Sequence, residues 1–287
     1  MDAEQPQQAD GPDLGTLARR AWGDLETLHV VGYFAREVTR AYVDLGLDAR
    51  LCYFPGRAAA LGAVGPGPVV ATFYVFAPWL VEAALPSAWA RTSPEEVIRA
   101  RRTGVAEALR SVLGEPDVSE AAEIARGVCQ GLTAPGRPLY AAHADLPWPD
   151  EDLMALWHAA TLVREHRGDG HIAVLQQSRL DPVEATVLGG LHSSTTGFLR
   201  KTRGWSQDEY DAAVGRLRRR GLLDDDGAFT GEGAAFRDDI ETQTDRLALE
   251  GWERVGEEAT ARLHELVRPL REQIQASDVL PRSLRSR

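Results

Sequence analysis

The residues best equipped for chemistry crowd into one stretch, "WHAATLVREHRGDGH", from Trp157 to His171. His158 and Glu165 lie two helical turns apart on one face, with Leu162 between them, and His166, Asp169 and His171 follow. Imidazole nitrogens and carboxylate oxygens at this density could hold zinc or iron, or form a His/Glu acid–base pair. The spacing matches no established ligand motif such as the i, i+4 histidine pair of metalloproteases, so the sequence calls for no metal and no cofactor. An architectural reading also accounts for much of the octet "REHRGDGH". Arg164, His166 and Arg167 would close a helix, where cations oppose its dipole, Gly168 would stop it, and Asp169 would cap a new helix from Gly170. A third reading makes Arg164 or Arg167, with the free N–H groups of that new helix, an anion-binding corner for a carboxylate ligand. On these readings the candidate ligand residues are His158, Arg164, Glu165, His166 and His171.

A second cluster surrounds Arg57 in "YFPGRAAALGAVGPGPVVATFYVF". Phe54, Phe73, Tyr74, Phe76 and Trp79 are either core or the wall of an apolar pocket. Arg57 and Tyr74 would then be its few polar groups, with Trp79 beside them, a setting suited to a small aromatic or acidic effector. A buried guanidinium needs a counter-charge, which Glu82 or a ligand carboxylate would supply.

Helices must position both clusters. Ser93-Pro94 with Glu96, Asp181-Pro182 with Glu184, and Ser206 with Glu209 are three capping boxes that start three helices. Apolar periodicity predicts further helices over 14–45, 68–85, 119–132, 150–167, 231–249 and 252–275, whereas strand signals reduce to 50–54 and a short pair around Asp226-Gly227. The expected fold is mainly α. A polar, proline-containing tail covers 1–13, a helical domain with the pocket covers 14–145, and a C-terminal domain covers 146–287. The Pro/Gly-rich stretch 131–152 marks the boundary between the two domains.

Composition narrows the function classes. A net charge of −11 over 287 residues repels nucleic acid and anionic membrane, so a nucleic-acid role needs a local basic patch. The two cysteines, Cys52 and Cys129, have no ligand spacing and fit a reducing cytoplasm. The longest apolar run, 69–85, contains Pro78 and Glu82 and is shorter than the ~20 residues a bilayer crossing needs. No phosphate-binding glycine loop and no nucleophile elbow supports an enzyme.

From Asp181 to Thr230 the order is helix, helix, helix and hairpin, with Leu222-Leu223 leading into Asp226-Gly227 and 228–230 coming back out, which makes a winged helix. "VGRLRRRGLLDDDGAFTGEGAAFRDDIE" resembles the end of the recognition helix, the wing and the next helix of MarR-type transcription regulators, and "ETQTDRLA" resembles their linking helix. More broadly the chain resembles an actinobacterial family of helix-turn-helix proteins. These resemblances imply a winged helix with a β-hairpin wing, double-stranded DNA read by the third helix, a small-molecule effector, and a homodimer built by the long helices after Gly231. By position in the motif, Arg200, Lys201, Arg203, Arg216 and Arg218 would contact DNA. Between Leu199 and Arg220 seven basic residues face Asp208, Glu209 and Asp211, a local charge of +4. The acidic start of the third helix and Asp224 to Asp226 at the wing tip would nevertheless face phosphates. The alternative is therefore a small-molecule binder or enzyme that keeps the motif as a scaffold. Exposed, contiguous carboxylates across the DNA face would favour that alternative.

Overall fold

Proline, serine and aspartate set most of the helix starts. Ser93, Asp181 and Ser206 each form the reciprocal capping box expected of them, and Thr230 accepts a hydrogen bond from the Gly233 N–H to open the next long helix. The computed structural model describes residues 12–282. Most of the proposed tail therefore lies outside the described residues, and Asp13, at its end, caps the first helix through the Thr16 N–H at 2.8 Å.

Fourteen α-helices make up the described chain: α1 (Leu14–Phe34), α2 (Arg36–Asp44), α3 (Tyr53–Ala58), α4 (Pro66–Phe73), α5 (Pro78–Trp89), α6 (Pro94–Leu113), α7 (Ser119–Cys129), α8 (Pro138–Ala144), α9 (Asp152–Gln177), α10 (Pro182–His192), α11 (Thr196–Thr202), α12 (Gln207–Arg219), α13 (Gly231–Leu247) and α14 (Glu250–Ala276). The main core joins α1, α2, α6, α7, the first half of α9 and α14. A second core joins the end of α9 to α10, α12 and α13, and a smaller aromatic one joins α3, α4, α5 and α8. Among the described residues, α9 alone contributes buried residues to both larger cores, Leu153 to Val163 in one and Val174 and Leu175 in the other. It is apolar or ion-paired all round because it is buried all round.

The mainly-α expectation fits, but the winged helix with a β-hairpin wing does not. Among the described residues there is no strand, and the expected wing is a tight turn closed by one antiparallel bridge, Leu223 to Phe229. The Asp224 Oδ1 accepts from the N–H groups of Asp226 and Ala228, while Arg218 donates to the carbonyls of Asp224 and Asp225. Those backbone groups are thereby taken from any ladder, and Thr230 begins α13 at once. The strand signal at 50–54 is likewise a turn running into α3, with the Cys52 N–H bonded to the Asp48 carbonyl. The expected long N-terminal helix breaks at Ala35, and the 68–85 helix breaks at Tyr74, whose φ is 44°.

The octet does not end a helix. α9 runs unbroken through it, and Gly168 has no left-handed φ. The reason is tertiary: each polar side chain of the octet finds a partner on a packed neighbour, so the helix is held where local signals favour a stop. Asp169 still acts as a cap, but of another element. Its Oδ2 accepts from the Leu139 and Tyr140 N–H groups at 3.0 and 2.9 Å, in the first turn of α8.

Candidate nucleic-acid interface

The three helices α10, α11 and α12 form a compact unit whose inner faces are apolar. Tyr210, Ala213 and Leu217 of α12 are buried against Val183, Val187 and Leu188 of α10. Gly190 admits α11 at close range, since a Cβ there would stand 3.0 Å from the Thr196 Cα. The outer face of α12 presents Gln207, Asp208, Asp211, Ala212 and Arg219 to solvent, in a helical row.

The basic residues expected to meet DNA divide into two groups. Arg200 and Lys201 are exposed on α11, and Arg200 lies 4.8 Å over the Tyr210 ring. Arg216 is committed to the unit itself, its Nη2 to Asp181 at 2.5 Å and its Nε to Glu184 at 2.9 Å. Arg218 is spent on the turn carbonyls, and Arg220 on the carbonyls of Ser178 and Arg179. Arg203 points inward, 4.3 Å over the Phe76 ring, with Nη1 on the Thr202 hydroxyl. Arg219, which no motif position singled out, joins Arg200 and Lys201 as an exposed cation. Asp208, Glu209, Asp211 and Asp224 to Asp226 are all exposed as well.

The inner side of the unit is clamped to the rest of the chain through the α4–α5 connection. The Ala77 N–H donates to the Arg203 carbonyl at 2.8 Å, and the Trp205 indole donates to the Val75 carbonyl at 3.0 Å. The Trp79 indole donates to the Gly204 carbonyl at 2.8 Å while its ring stays 56% exposed, and the Tyr74 hydroxyl donates to the Leu180 carbonyl at 2.5 Å. Tyr74 and Trp79, expected as pocket walls, thus fasten the helix-turn-helix unit instead of facing Arg57.

Arg57 is where the pocket argument placed a buried charge, but its partner is neither Glu82 nor a ligand. Glu82 is exposed, and Arg57 forks onto Glu165 with Nε at 3.0 Å and Nη2 at 2.7 Å. Glu165 also receives Arg164 Nη1 at 2.7 Å and the Tyr33 hydroxyl at 3.2 Å. Burial would raise the Glu165 carboxyl, but Arg164 and Arg57 outweigh it and hold it well below the carboxylate range. The sequence thus named both partners without pairing them, because positions 57 and 165 share no local pattern.

The other octet residues spread around α9. His166 Nε2 meets Glu250 at 2.5 Å, Arg167 bonds Asp245 and Glu241, and His171 meets the Thr244 hydroxyl at 2.9 Å. His166 and Arg167 border a cleft between α1, α9 and the α13–α14 junction, lined also by Trp22 and Trp252. His158 stands apart, edge-on to the Trp148 ring at 4.8 Å. The histidines and carboxylates of the octet therefore do not converge, and among the described residues no group of three or more such side chains could hold a metal ion. Burial, chiefly, keeps His158 at about 3 and His166 and His171 at about 4. They are neutral packing groups at pH 7.

A model of a helix-turn-helix family matches residues 18–281. The chain belongs to this helix-turn-helix family. The match covers the helical body as well as α10–α12, so the body is a family feature rather than an appendage. It does not single out the MarR type or an actinobacterial branch. Searches of curated proteins and of solved structures found no match. Among the described residues, no helix is long and apolar enough to cross a membrane.

Proposed function

We propose that this chain is a DNA-binding regulator in which α11 and α12 dock on duplex DNA and the helical body controls how they are presented. The observation that carries the reading is the division of the α10–α12 unit. Its inner side is bonded to the body through Tyr74, Ala77, Trp79 and Trp205, while Arg200, Lys201 and Arg219 stand exposed on the other helices of the same unit. In helix-turn-helix docking the third helix enters the major groove and the second touches the backbone, so Arg200 and Lys201 would supply phosphate contacts. Asp208 and Asp211 then face base edges, where a carboxylate accepts from the cytosine amino group.

The control element would be a small-molecule effector acting through the aromatic cluster behind Arg203, within the 14–145 domain, on the motif carried by the 146–287 domain. A homodimer would present two units to one operator. α13 buries Arg237, Ile240 and Thr244 against its own chain and turns Ala234, Ala235, Asp238 and Asp239 outward, the face this contact would use. A cytoplasmic setting follows from this role.

A second reading keeps the unit as a scaffold in a small-molecule binder, and the exposed carboxylates of α12 and of the 224–226 turn favour it. Genome-wide capture of DNA fragments on the purified chain separates the two. Recovery of discrete, recurrent sites supports the regulator. Recovery of no site above background at low salt leaves the scaffold.

A further inference from the structure

Of the seven tryptophans, all within the described residues, only Trp79 is exposed, with 56% of its surface in solvent. The ring is held in that position. Its indole N–H donates to the Gly204 carbonyl at 2.8 Å, and a Cβ at Gly204 would stand 3.2 Å from the ring Cζ2 and 2.5 Å from the Leu80 Cδ1. The turn comes this close to the start of α5 only because residue 204 is a glycine, at a φ of 80°. Fastening the turn does not require a ring in water. Trp205 beside it donates to the Val75 carbonyl with its ring packed against the second core. Tryptophan is among the side chains most enriched at energetically dominant contacts, so a rigidly held, exposed indole is a contact residue without its partner.

Its place in the fold says which partner. The turn it touches, 203–206, joins α11 to α12. Arg200 and Lys201 occupy the last turn of α11 just before it, and Ser206 caps α12 just after it. In helix-turn-helix docking the first residues of the third helix meet base edges, so the end of the unit where Trp79 stands is the end that approaches the duplex. Between Ala58 and Ala90 the one charged side chain is Glu82. The segment around Trp79 therefore brings apolar surface to that edge, and α11 brings the charge.

We propose that Trp79 is a DNA-contact residue supplied by the helical body. Its ring packs on the deoxyribose rim beside the base pairs that the start of α12 meets, while Arg200 and Lys201 hold phosphates. Between its phosphates a duplex offers sugar and base edges, which an indole whose N–H is already spent meets through its face. The body then shares in recognition, and a shift of α5 against α11 moves a DNA contact directly. The assignment rests on the regulator reading above.

Titration of a fluorescent duplex drawn from the captured fragments into the full chain, from about 50 to 200 mM salt, tests it. Trp79→Ala should bind about tenfold more weakly at every salt concentration, with the slope of log K against log salt unchanged, because no phosphate contact is lost. Trp79→Phe keeps a ring without the N–H and should lose no more than about threefold. Acrylamide quenching of tryptophan emission should fall when duplex is added to the wild type, and that fall should shrink in Trp79→Phe. The assignment is overturned if duplex leaves the quenching unchanged, if Trp79→Ala binds as wild type does, or if its salt slope drops with its affinity. It is also overturned if Trp79→Phe loses as much as Trp79→Ala, since the tether and not the ring would then matter. Sedimentation showing that Trp79→Ala splits a dimer would give the ring to a second copy instead. Failure of the regulator reading looks different: the wild type binds no fragment above background, which takes this assignment with it.

Discussion

Two arginine–carboxylate groups, built from the same residue types, have opposite standing in this molecule. Around Glu165 the carboxylate is fully buried and Arg57 is 7% exposed, so neither can exchange its partner for water. Around Glu184 the paired Arg216 is about a third exposed and sits at the rim of the helix-turn-helix unit. Burial, rather than charge, decides which group is architecture. In the interior an ion pair is costly to break because the survivor stays dry, whereas at the rim Arg216 is partly in water and Glu184, itself buried, keeps Arg220 at 3.6 Å.

Glu165→Gln therefore gives the largest effect. It leaves Arg57 and Arg164 facing a neutral amide, and unfolding by urea should show a loss of about 3–5 kcal/mol. A loss below about 1 kcal/mol would break the contrast.

Next comes the acid response. The folded chain holds His158 neutral, with its titration pushed down to about 3 by burial and by Arg102, against an ordinary value of 6.5. Below pH 6.5 the unfolded chain takes up the proton first. The stability tied to this group is whole above pH 6.5, declines as pH falls, and levels off below about 3. His158→Leu should flatten the decline by up to about 1.4 kcal/mol per pH unit, measured by urea unfolding between pH 6.5 and 4.

A smaller effect addresses the octet. A Cβ at Gly168 would meet only Arg164 Nη1 at 3.6 Å and Glu165 Oε2 at 3.8 Å, ordinary contacts inside a continuous helix. Gly168→Ala should stabilise by about 0.5–1 kcal/mol, whereas a left-handed stop at this position would make the same change destabilising. The smallest effect belongs to the rim, where Arg216→Ala should cost about 0.2–1 kcal/mol in the same assay.

Local rules carried the sequence reading as far as they reach. Capping boxes at Ser93, Asp181 and Ser206, the Thr230 cap and the order of helices in the α10–α12 unit were legible because each depends on residues within a turn or two. The unbroken course of α9 was not, because Gly168 and Asp169 copy the local grammar of a helix end. What overrides it comes from Arg57, Glu241, Asp245 and Glu250, far away in sequence. The wing failed for a related reason: Asp226-Gly227 signals a hairpin, but Asp224 and Arg218 absorb the backbone groups that its strands would need, and a turn with one bridge is what forms. Arg57 was legible as a buried charge in need of a partner, while the inward turn of Arg203 left no local trace.

The central claim is that exposed cations on α11, and not the arginines already paired inside the unit, bring this chain to DNA. Titrating a fluorescent duplex drawn from the captured fragments, from about 50 to 200 mM salt, tests it in wild type, Arg200→Ala/Lys201→Ala and Arg216→Ala. The double variant should bind more weakly and lose about two from the slope of log K against log salt, while Arg216→Ala keeps the wild-type slope. Equal slopes in all three proteins, or a slope lost only in Arg216→Ala, would contradict it.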